Sequence, residues 1–184
     1  MSRYTPLELI KRRAKSLHKD QGIPLNAAQQ AIAHQFNFNN FHELQKVAGQ
    51  HPVSDSRLLL AAFGVIDLQE VIWEDGLHVR LDQILEDQMN GEIAETNAWG
   101  FSFEDLDIEH TSYDENIGRL TLTGSLTYSG YQDEDRVFHG SAFYLDVQLN
   151  LLRRDNKWIF DEENGVEILH CESDLDRNRE QDDS

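Results

Sequence analysis

The stretch Leu120-Thr-Leu-Thr-Gly-Ser-Leu-Thr-Tyr128 decides the fold class of this 184-residue chain. Apolar residues and a glycine alternate there with threonine and serine, and side chains along a β-strand point to opposite faces in turn. One face of this strand is therefore predicted to be buried and the other to face water, which is typical of antiparallel sheets. Similar alternation recurs in residues 99–108, 143–151 and 158–168.

Turn-forming residues separate the predicted strands, at residues 114–118, 129–135, 154–156 and 163–165. Asp, Asn, Gly and Ser are concentrated there because they suit the backbone conformations of tight turns. Four or five long strands are therefore predicted to form an antiparallel meander. Leu81, Ile84, Leu85 and Met89 recur at helical spacing, so a helix at about 79–90 is predicted to cover its apolar face.

The segment before this helix has a less regular pattern. Residues 57–63 fit either a helix or a buried strand, because a short apolar run has no distinguishing period. Val71-Ile-Trp73, which is followed by Glu-Asp-Gly, is predicted to be a strand that enters a turn.

Three short helices are predicted at the N-terminus. The apolar stripe of the first consists of Leu7, Ile10, Ala14 and Leu17. Thr5 precedes a proline that suits the first helical position, and Gly22 suits a left-handed helix end. Asn26 is predicted to cap the second helix, at about 27–36. Asn40 is predicted to cap the third and to form a capping box with Glu43.

These elements predict an α+β protein. A small three-helix module, residues 5–49, precedes an α+β domain at 56–172, in which the antiparallel meander of four or five strands packs against a helix. Residues 173–184 are polar and acidic and are predicted to form a flexible tail.

Bulk composition narrows the class of protein. Hydrophobic residues make up 39% of the chain, which suffices for a core, and no apolar run approaches the roughly 18 residues of a membrane span. The N-terminus lacks the apolar core of a signal peptide. The single cysteine, Cys171, excludes an intrachain disulfide and a cysteine zinc cluster. A cytoplasmic protein without membrane contact is predicted.

Charge is distributed unevenly along the chain. Residues 1–50 hold seven Lys or Arg and three acids, whereas residues 51–184 hold nine bases and 31 acids. The first part therefore carries about +4 and the second −22 of the total of −18. An acidic body of this kind repels nucleic acid and attracts cationic surfaces.

We therefore predict a non-enzymatic adaptor or regulatory protein whose acidic domain binds a basic macromolecular partner. The residues predicted to contact that partner are clustered acids: Glu104, Asp105, Asp107, Glu109, Asp133, Glu134, Asp135, Asp161, Glu162 and Glu163. Solvation of the surface is the alternative role for these acids, and imitation of the phosphate lattice of DNA is another.

Nucleic-acid binding through the N-terminal module is an alternative function. The cations predicted to contact phosphates are Lys11, Arg12, Lys15, Lys19 and Lys46. Residues 33–39 follow the residue order of a helix-turn-helix, with Asn37 where glycine is usual, since Asn tolerates the left-handed conformation. The structural interpretation of this stretch is that Phe36, Phe38, Phe41 and Leu44 pack on the first helix.

The N-terminal region also resembles a known module. Its three segments are Lys11-Arg-Arg-Ala-Lys-Ser-Leu, Ile23-Pro-Leu-Asn-Ala-Ala-Gln-Gln-Ala-Ile-Ala and Phe36-Asn-Phe-Asn-Asn-Phe-His-Glu-Leu. Together they are similar to a short helical module found beside glyoxalase-related domains in bacterial proteins and in plasmid and other mobile-element proteins. Asn37 replaces the Gly of that pattern and Phe41 its Trp, and the resemblance covers residues 7–48. It implies no catalytic residue, and an antitoxin, immunity or anti-defence role fits it.

The body resembles cystatin-like or NTF2-like sheets, a likeness that rests on its long strands and its preceding helix. Such sheets host enzymes and binding modules alike, so a small-molecule binder or an enzyme with a pocket is a further alternative. His110, His139 and His170 lack a tight ligand spacing, and no metal or cofactor site is predicted. His170 and Cys171 are adjacent in a strand and should point to opposite faces, so they are not predicted to act together.

Overall fold

A computed structural model of the protein describes residues 3–50, 54–133, 135, 137, 139–154 and 156–177. Its helices are α1 (Pro6–Gln21), α2 (Leu25–Gln35), α3 (Phe41–Gln50), α4 (Ser56–Phe63), α5 (Leu77–Gln88) and α6 (Asn90–Ala94), with a 3-10 helix at Leu68–Trp73. Its strands are β1 (Trp99–Asp114), β2 (Arg119–Tyr131), β3 (Ala142–Arg154), β4 (Lys157–Phe160) and β5 (Val166–Ser173). The predicted α+β class, with helices first and an antiparallel sheet after them, is confirmed.

The five strands form one sheet in the order β1-β2-β3-β4, and β5 also pairs with β3. Strand β2 runs along the whole of β3, since Gly130 N donates to Ser141 O and Arg153 N donates to Gly118 O, both at 2.8 Å. Strands β4 and β5 therefore share the other edge of β3. The predicted meander is present, and β1 lies at one edge of the sheet.

An excursion at residues 161–165 separates β4 from β5 opposite Asn150. The backbone of Asn150 donates to Gly165 O and accepts from Asp161 N, so both ends of the excursion return to this residue. The Asn150 side chain is 5% exposed and is satisfied by Asn164 O at 2.8 Å and by the Thr121 hydroxyl at 2.9 Å. A buried amide with both ends hydrogen-bonded is tolerated.

In strand β1 the positions that point to the apolar face change from odd to even at Asp105. This residue has a left-handed backbone with φ of 51°. Apolar residues occupy odd positions before it, at Phe101 and Phe103, and even positions after it, at Leu106 and Ile108. All four are half-buried, so a bulge at Asp105 keeps the apolar residues on one face.

Contacts group the chain into two compact units. The first, here called the basic unit, consists of Met1–Val71, Tyr113–Arg119 and Leu152–Trp158. The second, the acidic unit, consists of Ile72–Ser112, Leu120–Leu151 and Ile159–Ser184.

Helices α1 to α4 and the two hairpin ends form the core of the basic unit. Ile10, Ala14 and Leu44 are fully buried, and α1 packs on α2 and α4. The Phe63 ring lies 5.0 Å from the Tyr113 ring and 5.7 Å from the Trp158 ring, centre to centre. The hairpin ends therefore supply aromatic surface that a three-helix module alone lacks.

The acidic unit has its core between α5 and the apolar face of the sheet. Helix α5 contacts β5 and buries Leu77, Leu81 and Leu85. The buried sheet residues are Leu120, Leu122, Leu126, Tyr128, Phe143, Leu145, Val147 and Leu149. The predicted covering helix at 79–90 is confirmed, with bounds two residues earlier. The Phe103 amide, on β1, donates to Asp82 of α5 at 2.8 Å.

Local predictions fail at two places. Val71-Ile-Trp73 is the end of a 3-10 helix and not a strand, because Val71 and Ile72 are buried together there and a short apolar run fits either element. Asn26 does not cap α2, because the helix begins at Leu25 and Pro24 occupies the capping position. The Asn26 side chain accepts from the Ala27 amide instead, at 2.8 Å.

Other helix ends follow the sequence. Thr5 caps α1 through the Glu8 amide at 3.2 Å, and Gly22 ends it with φ of 66°. The Asn40 side chain accepts from the Glu43 amide at 2.9 Å, as predicted for the N-cap of α3, but the Glu43 carboxylate accepts from the Asn39 amide at 2.7 Å and not from that of Asn40, so the capping box is shifted by one residue. In the described residues no helix is both long and apolar enough to cross a bilayer.

Candidate partner-binding surface

The two units differ strongly in charge. The residue ranges of the basic unit contain 12 Lys or Arg and nine acids, a net charge of +3. Those of the acidic unit contain four Lys or Arg and 25 acids, a net charge of −21. The hairpin ends account for part of this difference, because they place four strand-end cations with the helices: Arg119, Arg153, Arg154 and Lys157.

The predicted acids of β1 lie together along an edge strand. Glu104, Asp105, Asp107 and Glu109 are all exposed, and none of them forms an ion pair with another residue of the described chain. Unpaired carboxylates on an exposed edge keep their full charge toward solvent, and they also discourage pairing with a second, equally acidic edge.

The other predicted acids do not join this row. Asp133 and Asp135 are exposed after β2, while Glu162 and Glu163 are exposed and Asp161 is half-buried in the excursion on the opposite edge. The sequence order of these clusters gives no indication of that separation. The predicted contact Glu134 lies outside the described residues.

The polar face of the sheet carries a second set of acids, which are not among the predicted partner contacts. Tyr144 pairs across the sheet with Glu172, and Asp146 pairs with His170. Because positions two apart along a strand share a face, these four side chains form a square. They line a depression of about 410 Å³ together with Asp105, Ser125 and Thr127.

Arg177 occupies part of this depression. Its guanidinium carbon lies 3.5 Å from the centre of the Tyr144 ring, and its Nε donates to a Glu172 oxygen at 2.7 Å. The hydrogen bond that Arg177 donates to the Glu172 carboxylate raises the pKa of Arg177 above its ordinary value. The site therefore already holds a guanidinium group by an ion pair and by a cation–π contact.

Exposed aromatic side chains flank the start of β1. Trp99 and Tyr131 are 59% and 68% exposed, and their ring centres are 5.7 Å apart. Trp73 is 55% exposed and lies 5.8 Å from the ring of Phe103. Exposed aromatic residues are enriched in protein interfaces, where they provide apolar contact area with little loss of side-chain freedom.

The apolar face of the sheet has a cavity of about 350 Å³ at one end. It is lined by Cys171 and His139 and by several carboxylates, those of Glu92, Glu95, Asp174 and Asp176. Burial and the nearby charges of Glu92 and Asp176 raise the pKa of the Cys171 thiol. A thiol in these surroundings is a weak nucleophile because little thiolate forms at neutral pH.

The cavity also bears on the small-molecule and enzyme alternative. Cys171 pairs with Leu145 on the apolar face, and His170 pairs with Asp146 on the polar face, so this neighbouring pair is split as predicted. Helix α5 contacts β5 and buries Leu81 and Leu85. The small-molecule or enzyme function stays a prediction.

The predicted phosphate-contacting cations differ in their surroundings. Lys11 pairs with Glu8 at 2.7 Å, a hydrogen bond that lowers the pKa of Glu8. Arg12 donates to the carbonyl of Arg3 and lies over the Tyr4 ring. The other three, Lys15, Lys19 and Lys46, are exposed and form no ion pair with the described chain.

The predicted helix-turn-helix turn forms as a backbone feature, with Asn37 left-handed at φ of 61°. Phe36, Phe38, Phe41 and Leu44 are buried, as the structural interpretation predicts. On α3 the exposed residues His42, Gln45 and Lys46 include a single lysine. That face is weakly cationic for a helix that reads DNA.

Among the described residues, no group of three or more His, Cys, Asp or Glu side chains is arranged to hold a metal ion. Comparison with protein-family models, with curated proteins and with solved structures gave no match. The resemblance of residues 7–48 to the bacterial helical module and that of the body to cystatin-like or NTF2-like sheets therefore stay predictions.

Proposed function

We propose that this protein is a non-enzymatic adaptor or regulatory protein whose acidic unit binds a basic macromolecular partner. The observation that supports this proposal is the segregation of charge, with 25 acids and four bases in the acidic unit. A charge of this size attracts a cationic protein over distances of about 8–10 Å at physiological salt.

The row of unpaired β1 carboxylates is the part of this surface best suited to contact. These carboxylates are exposed, and a partner that neutralises them desolvates no existing ion pair. Trp99 and Tyr131 add apolar area at the start of the same strand. Charge then accelerates association, while the aromatic pair slows dissociation.

A bacterial antitoxin, immunity or anti-defence role on a plasmid or other mobile element agrees with this mode of binding. In such a role the acidic unit would block a cationic surface of its target. The specific role rests on the resemblance of residues 7–48 and on the charge of the acidic unit.

Affinity capture at low salt, followed by mass spectrometry, tests the proposal. We expect recovery of a basic protein whose binding weakens steeply between about 50 and 300 mM salt, since screening removes the attraction. The quadruple change Glu104→Gln, Asp105→Asn, Asp107→Asn and Glu109→Gln should reduce the affinity at least tenfold.

A matched control removes the same charge from helices α5 and α6 and from Glu95, the residue that follows α6, by Glu86→Gln, Asp87→Asn, Glu92→Gln and Glu95→Gln. We expect this variant to retain most of the affinity, because those residues lie off β1. Recovery of no specific partner, or equal losses in the two variants, would contradict the proposed contact surface.

We also propose a second candidate function, nucleic-acid binding by the basic unit. The observation in its favour is that Lys15, Lys19 and Lys46 are exposed and form no ion pair in the described chain. Charge reversal at Lys15 and Lys19 should abolish a gel shift with duplex DNA at low salt. Charge reversal at Lys11, which is paired with Glu8, should have a smaller effect on the gel shift. If the wild-type protein gives no gel shift, nucleic-acid binding by the basic unit is contradicted.

A further inference from the structure

We propose that Tyr144 and Glu172 form a binding site for an arginine side chain of the basic partner, and that Arg177 occupies this site in the unbound protein. This inference rests on the proposed function and names the chemical group that the acidic unit recognises. It concerns the polar face of the sheet, where the depression shares Asp105 with the row of acids on β1.

Strand register builds the site from residues far apart in sequence. Tyr144 of β3 faces Glu172 of β5, and the next pair on the same face is Asp146 with His170. An aromatic ring beside a carboxylate presents a flat negative surface and a hydrogen-bond acceptor together. A planar guanidinium satisfies both at once, since it stacks on the ring and donates in its own plane.

The geometry of Arg177 shows that a guanidinium fits. Its Cζ lies 3.5 Å from the centre of the Tyr144 ring, which is stacking distance, and Nε to Glu172 Oε2 is 2.7 Å. Lysine lacks the planar group and is more strongly hydrated, so it would gain less from the ring. The site is therefore predicted to prefer arginine to lysine.

The depression holds more negative charge than Arg177 neutralises. Asp105 and Asp146 also line it, and neither forms an ion pair with the described residues. Ser125 and Thr127 add hydroxyl groups on the neighbouring strand. A partner segment with several arginines therefore finds acceptors here that Arg177 does not use.

Arg177 is poised to leave this site. Its side chain is 48% exposed, and it is the last residue of a helical turn at residues 174–177 that the Ser173 hydroxyl caps through the Asp176 amide at 3.2 Å. Exposed ion pairs and cation–π contacts are weak, so an incoming arginine has a modest competitor. Competition of this size lowers the apparent affinity for the partner about five- to tenfold.

Binding of a hexa-arginine peptide and a hexalysine peptide to the full chain, followed by calorimetry at low salt, tests the inference. We expect Arg177→Gln to strengthen hexa-arginine binding about five- to tenfold and hexalysine binding less than about threefold. Tyr144→Leu should remove the preference for arginine over lysine. The circular dichroism spectrum and unfolding midpoint of each variant show that the sheet is intact.

A matched control separates the site from charge alone. Arg80→Gln also removes one cation from the acidic unit, at an exposed position on α5 where Arg80 donates to Gln83. The arginine site is overturned if Arg80→Gln and Arg177→Gln change the affinity for hexa-arginine equally, or if Arg177→Gln changes the affinities for the two peptides equally. Binding by the acidic surface would still stand in that case. If neither peptide binds the wild type or Arg177→Gln, the proposed function fails as well.

Discussion

Gly124 lies so close to β1 that a Cβ atom on it would stand 1.9 Å from the carbonyl oxygen of Asp107. It would also stand 2.9 Å from the Cα atom of Ile108, so backbone and not a flexible side chain occupies the space. This contact follows the bulge at Asp105 and lies in the middle of the β1–β2 pairing. The glycine in the quoted strand is therefore required by the fold.

Gly124→Ala should lower the free energy of unfolding by about 3 kcal/mol, because the strands must separate to admit the methyl group. Urea unfolding followed by tryptophan fluorescence measures this loss. Gly91→Ala is the control, since Gly91 lies in α6 with nothing within 4 Å of its added Cβ atom. We expect that change to be neutral or stabilising by up to about 1 kcal/mol; equal effects at the two positions would contradict the close approach.

Asn37 provides a test of the turn between α2 and α3. Its φ of 61° is left-handed, and its carbonyl accepts a hydrogen bond from Arg57 at 3.2 Å. Asn37→Ala should cost about 1 kcal/mol, whereas Asn37→Gly should be within about 0.5 kcal/mol of wild type, because glycine adopts this conformation without a steric penalty. Thermal unfolding measures the stability of the wild type and the two variants. If Asn37→Ala is more stable than Asn37→Gly, the backbone argument is refuted.

Asp55 should give the basic unit a stability that depends on pH. Its carboxylate accepts from the amides of Arg57 at 3.0 Å and Leu58 at 3.2 Å, where it caps α4. The side chain of Arg57 is the main cause that lowers the pKa of Asp55 in the folded protein. Because the folded pKa is below the unfolded one, the stabilisation is present above the unfolded pKa and is lost as pH falls through the folded pKa.

Asp55→Ala should therefore cost about 1 kcal/mol at pH 7, and the difference from wild type should shrink below about pH 4. Urea midpoints at pH 7, 5 and 3 measure it. Asp20→Ala, at an exposed position in α1, is the control and should change stability by less than about 0.5 kcal/mol. A constant cost for Asp55→Ala across this range would show that the ionised carboxylate is not the cap.

Cys171 should react slowly with thiol reagents at neutral pH. Burial and the carboxylates of Glu92 and Asp176 raise its pKa, so the thiolate fraction is small. The rate of reaction with a disulfide reagent should rise with pH along a curve displaced to higher pH than that of a free thiol. Glu92→Gln should shift the curve back, and Glu86→Gln, which neutralises an acid outside this cavity, should not. A thiol more reactive than free cysteine at pH 7 would revive an enzymatic role.

Part of the candidate surface could be predicted because it depends on one strand only. The alternation before Asp105 places Glu104 on the face opposite Phe103, and the alternation after it places Asp107 and Glu109 on the face opposite Leu106 and Ile108; no partner strand is needed to see this. The change of the apolar residues from odd positions, up to Phe103, to even positions, from Leu106, is visible in the sequence as well. Its cause, the left-handed backbone of Asp105, appears only in the structure, because aspartate adopts that conformation in few of its positions.

The site of Tyr144, Glu172 and Arg177 could not be predicted, because it depends on how β3 and β5 are aligned. The register between these strands shifts between Asp146 and Val147, and a shift of one residue moves a side chain to the opposite face. The excursion at residues 161–165, which sets where β5 begins, has no sequence period that fixes this alignment.

Local sequence by itself determined the three N-terminal helices, the helix at about 79–90 and the strands after it, the N-caps of α1 and α3 and the total charge of −18, because these depend on neighbouring residues or on composition alone. Tertiary structure decided which charges act together. It gathered Arg119, Arg153, Arg154 and Lys157 with the helices through the hairpin ends, and it left four bases among the 25 acids of the acidic unit. Such grouping depends on the distance between side chains in space, and sequence separation does not report that distance.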